Sequence, residues 1–207
     1  MARVFTHHPL KLGIFGESGY GKSQYQLRFT LASRARVKFV FDHKGEFEHL
    51  AGAIPSRTPE ELEAALASGW CVFNPHRMFP GKLPEAFNFF ADFAWTIAEK
   101  IAGTKLFVAD ELALLTEGLK PQPLCRIFED GRSVALDACC TGHGPNSLHN
   151  RIRGQFTEVV TFFLKSTPAL EVMEREYAFD ADIIRRLDRG EFLARSETGR
   201  FQAGRVF

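Results

Sequence analysis

The chain has little to staple or anchor it. Its four cysteines, Cys71, Cys125, Cys139 and Cys140, form no C-x-x-C pair and stand at no His/Cys ligand spacing. That excludes a zinc or redox motif of this kind and predicts reduced, mostly buried thiols in a cytosol-like compartment. No uncharged apolar run approaches the roughly 18 residues that a bilayer-spanning helix needs, and Met1 to Pro9 lacks a signal core. The expectation is a soluble intracellular protein with no membrane span. Neither sign of charge dominates: 26 Lys and Arg against 25 Asp and Glu leave a formal net charge of +1. Bulk charge therefore does not announce a nucleic-acid partner, and such binding would need local patches or a patch repeated around an oligomer. Internal repeats, low-complexity tracts and long linkers are missing as well. Phenylalanine, by contrast, is abundant at 21 of 207 residues, which favours thick aromatic packing in a core or at a subunit interface. The length predicts one domain with an ample core.

Short apolar runs alternate with longer helical stretches, the pattern of an α/β fold with a mostly parallel central sheet flanked by helices. Strands are expected at Leu10–Phe15, Val37–Asp42, Trp70–Phe73, Leu106–Ala109, Val134–Thr141 and within Thr157–Leu164. Helices are expected at Ser23–Ala35, Thr58–Ala67, Pro84–Ala102, Pro123–Asp130 and Ser147–Arg153. Pro59 suits the first turn of its helix, where Glu60 and Glu61 complement the dipole. In the helix from Pro84, residues Phe87, Phe90, Ala94, Ile97 and Ile101 make one apolar stripe that predicts a core-facing side. The tail Glu191–Phe207 holds two short strands around Thr198-Gly199, a hairpin.

Gly16-Glu17-Ser18-Gly19-Tyr20-Gly21-Lys22-Ser23 fits G-x-x-x-x-G-K-[ST], between an apolar strand and a helix. Glycines at this spacing let successive N–H groups turn inward onto phosphate oxygens, and the following helix adds its positive end. Lys22 then reaches the β- and γ-phosphates and Ser23 ligates Mg²⁺. The expected cofactors are ATP and Mg²⁺. Downstream, Leu106-Phe107-Val108-Ala109-Asp110-Glu111 is a buried strand ending in two carboxylates. In this P-loop context Asp110 is expected to hold the metal, and Glu111 to polarise the water that attacks the γ-phosphate. Between these motifs there is room for a further strand, which Lys38–Asp42 supplies; an inserted strand together with Glu111 resembles the hydrolytic motor, RecA-like (ASCE) branch of P-loop NTPases. Asp42-His43-Lys44-Gly45 superficially matches the D-x-x-G of GTPases, but no N-K-x-D base-reading motif accompanies it.

Further segments carry a resemblance. Phe39-Val40-Phe41-Asp42-His43-Lys44-Gly45-Glu46-Phe47 resembles the strand and D-x-x-G-E-[FY] segment of the HerA/FtsK superfamily of DNA-pumping ATPases. Gly131-Arg132 before an apolar strand is similar to that family's G-R arrangement, and His143-Gly144-Pro145-Asn146-Ser147-Leu148 lies where it shows Q-x-P-x-x-L. The resemblance covers about residues 10 to 165. It implies one ATPase domain over the whole chain, with a motor core about 10–165 and C-terminal helices and a hairpin about 166–207. A compact motor of this kind is most similar to the genome-packaging ATPases of tailless, membrane-containing double-stranded DNA viruses and phages. The usual sensor glutamine is here His143, with Thr141 a candidate to share its role. A trans-acting arginine is expected to be Arg132, with Arg126 second. A homo-oligomeric ring, pentamer or hexamer, would multiply basic loop residues such as Arg77, Lys82 and Lys120 around a channel for double-stranded DNA. What the resemblance implies is thus packaging of a double-stranded genome into a preformed capsid by a ring docked on capsid or portal vertex proteins. Its place would be the host cytoplasm or the virion's packaging vertex. The alternatives are a cellular HerA/FtsK-like DNA-processing or conjugation ATPase, a nucleotide-gated scaffold and a small-molecule P-loop kinase.

Overall fold

The computed structural model describes residues 8–47, 53–116 and 122–207. In chain order the elements are β1 (Lys11–Phe15), α1 (Lys22–Ala32), β2 (Val37–Phe41), β3 (Pro55–Ser56), α2 (Pro59–Ala65), β4 (Trp70–Phe73), α3 (Leu83–Lys100) and β5 (Lys105–Ala109). There follow α4 (Leu112–Leu115), α5 (Gln122–Asp130), β6 (Leu136–Gly142), α6 (Asn150–Arg153), β7 (Glu158–Thr161), α7 (Thr167–Tyr177), α8 (Ala181–Ile184), β8 (Glu191–Arg195) and β9 (Phe201–Arg205). The strands form a nine-stranded sheet in the order β3-β4-β2-β5-β6-β1-β7-β8-β9. It is parallel at β3/β4, β4/β2, β2/β5 and β1/β7, and antiparallel through β7, β8 and β9. The expected α/β class, with helices around a mostly parallel sheet and a hairpin at the C-terminal end, is what the chain adopts. By contact density it divides into two compact units, 1–9/32–109/114–138 and 10–31/110–113/139–207.

In the first unit the phenylalanines supply the expected aromatic core. Phe41, Phe73, Phe87, Phe90 and Phe107 are all buried, and the Phe90 ring lies 5.3 Å from Phe73 and 5.9 Å from both Phe41 and Phe107. Each such ring contributes about 2–3 kcal/mol by leaving water. The α3 stripe is wider than the sequence suggests. Phe87, Phe90 and Ala94 are buried as expected, Ala86, Ala91, Trp95 and Ala98 join them, and Ile97 and Ile101 are only half-buried. The α2 start behaves as read: Thr58 caps it by accepting the Glu61 N–H at 3.3 Å, with Pro59 in the first turn. Several boundaries differ: α1 stops at Ala32 rather than Ala35, and in place of a helix from Ser147 a 3₁₀ turn over Pro145–Ser147 precedes α6 at Asn150. Val134 does not open β6; Gly131–Val134 form a 3₁₀ turn closed by Ala135 in a left-handed conformation, and the strand starts at Leu136. A Cβ on Gly131 would meet the Leu136 carbonyl at 2.7 Å, so this tight reversal is fixed by packing rather than by strand propensity.

The second unit carries β1, β7, β8 and β9. β1 is buried along its whole length, as a strand with both faces covered must be. Leu12 to Phe15 lie in parallel register with Glu158 to Thr161, and Val159 to Thr161 pair antiparallel with Arg195 to Leu193. No described helix is long and apolar enough to cross a membrane.

Candidate active site

The loop leaving β1 owes its shape to two glycines with little alternative. Gly16 has φ 154° and a Cβ there would sit 2.7 Å from Phe162 Cβ; Gly21 has φ 118° and a Cβ would sit 2.6 Å from Val206 Cγ2. Only a residue without a Cβ meets both the dihedral and the contact. The loop is tied down at its start, where Gly16 N–H donates to the Gly142 carbonyl at 3.3 Å and Glu17 N–H to Phe163 at 2.9 Å. Lys22, only 7% exposed, opens α1, and its ammonium donates to the Glu17 carbonyl at 3.0 Å. That carbonyl oxygen occupies the kind of position a phosphate oxygen would take against the same ammonium. Tyr20 stacks on Phe163 at 4.9 Å, and Lys165 pairs with the Glu17 carboxylate at 3.5 Å.

The two carboxylates after β5 join this loop in the second unit. Asp110 is buried, and Glu111 beside it has φ 52°, a left-handed backbone that costs a non-glycine residue on the order of 1 kcal/mol. Thr141 at the end of β6 holds both. Its hydroxyl donates to Asp110 Oδ1 in a short hydrogen bond and accepts the Glu111 N–H at 2.9 Å. Two residues on, His143 Nε2 stands 3.6 Å from Glu111 Oε1, with the imidazole 59% exposed and the carboxylate 25%. Thr141 and His143 thus each contact Glu111, the residue expected from the sequence to act as base. Beneath the site Gln26 of α1 donates to the Cys139 carbonyl at 3.2 Å. Burial first, and Cys140 next, push the Cys139 thiol well above its ordinary range, so it stays protonated and supplies no nucleophile.

The expected arginines belong to the first unit. Arg126 on α5 is engaged: its guanidinium reaches Glu99 at 3.2 Å and covers the Trp95 ring at 4.2 Å. Arg132 is exposed in the 3₁₀ turn, not at the head of a strand. Arg77 and Lys82 are exposed in the loop between β4 and α3, whereas Lys120 lies outside the described residues. Among the described residues no group of three or more His, Cys, Asp or Glu is set to hold a metal by itself. The donors on offer are the Ser23 hydroxyl and the Asp110 carboxylate. Hard oxygens of this kind suit Mg²⁺, which keeps most of its shell as water and phosphate. Ser23 is half-buried beside the buried Lys22, and Asp110 is itself buried, so the donor set fits a nucleotide-borne metal. One contact on the loop has no counterpart in any motif: Arg189, 170 residues away in sequence, donates to the Gly19 carbonyl at 2.9 Å.

This is the fold of the P-loop ATPases, with the glycine-rich Gly16–Ser23 loop, a buried carboxylate and a second acidic residue gathered in one unit. The genome packaging NTPase B204 of Sulfolobus turreted icosahedral virus 2, solved with ATPγS, superposes with a TM-score of 0.75 at 13% identity over 96% of this chain and 98% of that one. VirB4 of Thermoanaerobacter pseudethanolicus gives a TM-score of 0.74 at 12% identity, over 100% of this chain and 93% of that one. EccC of Thermomonospora curvata (ATPases 2 and 3), solved with a signal sequence peptide, is more distant, with a TM-score of 0.56 at 11% identity over 95% of this chain and 36% of that one. These neighbours share the fold that the sequence resemblance implies. No family model matches the sequence, and no curated protein is significantly similar to it.

Proposed function

We propose that this chain is an ATP-hydrolysing translocase that moves double-stranded DNA into a preformed capsid as a homo-oligomeric ring. The observation that carries the ATPase part is the cluster of the Gly16–Ser23 loop, Asp110, Glu111, Thr141 and His143. The packaging part is supported by the likeness to B204, which runs over nearly the full length of both chains. The loop amides and Lys22 would bind the β- and γ-phosphates, and Ser23 and Asp110 would hold Mg²⁺. Bound there, the metal neutralises charge on the phosphate oxygens. Glu111 takes the proton of a water as its oxygen bonds to the γ-phosphorus and the bond to the β–γ bridging oxygen breaks, releasing ADP and phosphate. Thr141 and His143 fix where Glu111 stands. A neighbouring subunit's arginine would stabilise the charge on the transferring group, with Arg132 the first candidate and Arg126 the second. The equally close likeness to VirB4 supports a second reading, a HerA/FtsK-like ATPase of DNA transfer or processing.

The deciding experiment is ATP-dependent DNA uptake by purified empty procapsids, with the native protein, with Lys22→Ala and with no protein added. Uptake only with the native protein is the expected result. Uptake that proceeds equally well without the protein removes the packaging reading. If uptake fails while duplex DNA still stimulates ATP hydrolysis with little sequence preference and steep salt dependence, the second reading stands.

A further inference from the structure

The C-terminal segment is joined to the loop at two consecutive points. Arg189 Nε donates to the Gly19 carbonyl at 2.9 Å, and the Gly190 N–H donates to the Tyr20 carbonyl at 3.1 Å. Gly190 is itself held from the far end of the β8/β9 pair, because its carbonyl accepts the Val206 N–H at 2.9 Å. Val206 is buried with its Cγ2 against Gly21, and Phe207 lies against Gly190 so closely that a Cβ there would meet ring atoms at 2.8 Å. The Arg189 guanidinium also stands 5.9 Å from the Phe207 ring centroid.

A planar trans peptide points its C=O and its N–H in opposite directions. Catching the Gly19 and Tyr20 carbonyls on one side therefore aims the N–H groups of Tyr20 and Gly21 to the other, where the Tyr20 N–H meets, at 3.5 Å, the same Glu17 carbonyl that Lys22 holds. A phosphate cradle needs this arrangement: its amides must converge on the anion, and its carbonyls, which would repel phosphate oxygens, must be satisfied elsewhere. The glycines permit the loop's conformation but do not select it, since Gly19 and Gly21 each have many alternatives.

We propose that Arg189 is a positioning residue for the phosphate-binding loop, acting with the Gly190 amide to hold the Gly19 and Tyr20 carbonyls, so that nucleotide binding and the seating of the β8/β9 pair are linked. The proposal rests on the reading of this loop as the triphosphate site. Linkage is reciprocal: whatever the seated pair adds to nucleotide affinity, bound nucleotide returns as order in the pair. The arginine is exposed, so its effect is modest, about three- to tenfold in affinity.

The test combines amide hydrogen exchange with calorimetric titration of ATPγS, on native protein, Arg189→Met, Arg189→Lys and, in parallel, Lys22→Ala. In nucleotide-free Arg189→Met the Tyr20 and Gly190 amides, which donate to the Glu17 and Tyr20 carbonyls, should exchange faster than in the native protein, while the thermal midpoint stays close to native. ATPγS should bind this variant about three- to tenfold more weakly, Arg189→Lys should recover part of that loss, and ATPγS should slow exchange at Val206 in the native protein. Unchanged exchange at Tyr20 and Gly190 in Arg189→Met overturns the positioning role, whether or not nucleotide binds. Faster exchange with unchanged ATPγS affinity, or no protection of Val206, overturns the linkage. If Lys22→Ala binds ATPγS as tightly as the native protein, it is the assignment of the loop that fails, and the nucleotide-free exchange still decides the role of Arg189.

Discussion

Replacing Thr141 by valine asks how much of the site depends on one hydroxyl. The two side chains are nearly the same shape, so packing changes little, but the hydroxyl is not replaceable. In the native protein it gives its proton to Asp110 and takes the Glu111 amide proton at 2.9 Å, in surroundings where Thr141 is 1% exposed and Asp110 7%. A buried hydrogen bond to a charged group contributes about 1.5–3 kcal/mol, and an amide left without its acceptor costs about 1–3 kcal/mol. Water has some access, because a quarter of the Glu111 side chain is exposed, so the combined loss should fall near 2–4 kcal/mol of folding stability. Catalysis should suffer separately. The left-handed backbone of Glu111 would lose its tether, and a displacement of the base by about 1 Å can cost about a hundredfold in rate. Steady-state phosphate release should show kcat reduced about ten- to a hundredfold with the KM for ATP changed far less, and urea unfolding should give the stability loss. Thr141→Ser keeps both bonds and should restore most of kcat. A Thr141→Val protein that turns over ATP within about twofold of native would refute the idea that this hydroxyl positions the base.

Three further outcomes follow from the geometry. Glu111→Gln should bind ATP and hydrolyse it poorly; mixing it with the equally slow Arg132→Ala should restore activity, because an intact arginine from one subunit meets an intact base in another, and mixed rings without recovery would show that Arg132 does not act in trans. Gly21→Ala places a methyl 2.6 Å from Val206 Cγ2 at φ 118°, so it should cost about 1–3 kcal/mol by thermal unfolding and weaken nucleotide binding in parallel. Lys105, buried and bonded to the Ile101 carbonyl at 2.8 Å, has its ammonium pKa lowered, first by burial and then by Arg36. Because the unfolded chain then binds more protons between the folded pKa and about 10.4, native stability should rise with pH across that window. Lys105→Met should remove the rise, and parallel denaturation curves for the two proteins would contradict it.

Much of the site is local chemistry and so was legible. A glycine-rich turn after an apolar strand, and a carboxylate pair at a strand end, are short segments whose own backbone demands point to their task. The start of β6 was not. Val134 has strand propensity, yet the contact between Gly131 and the Leu136 carbonyl turns the chain before the strand begins. Arg126 is ranked second by the sequence as a trans-acting arginine. Its seat on Trp95 and Glu99 exists only because α5 packs on α3, which no periodicity within either helix reveals. Arg189 is the extreme case, since its partner lies 170 residues away and becomes a neighbour only when β8 and β9 extend the sheet.

The left-handed backbone at Glu111 sets selection for durability against selection for turnover. A glycine would relieve on the order of 1 kcal/mol of conformational strain, offset in part by the greater freedom it gives the unfolded chain. It would also delete the carboxylate. A screen that rewards heat resistance alone should therefore drift toward glycine or asparagine at this position and return better-behaved proteins that no longer turn over. The same screen run with a demand for hydrolysis should leave position 111 untouched and collect its gains elsewhere, which makes this residue a natural marker of which pressure a lineage of variants has experienced.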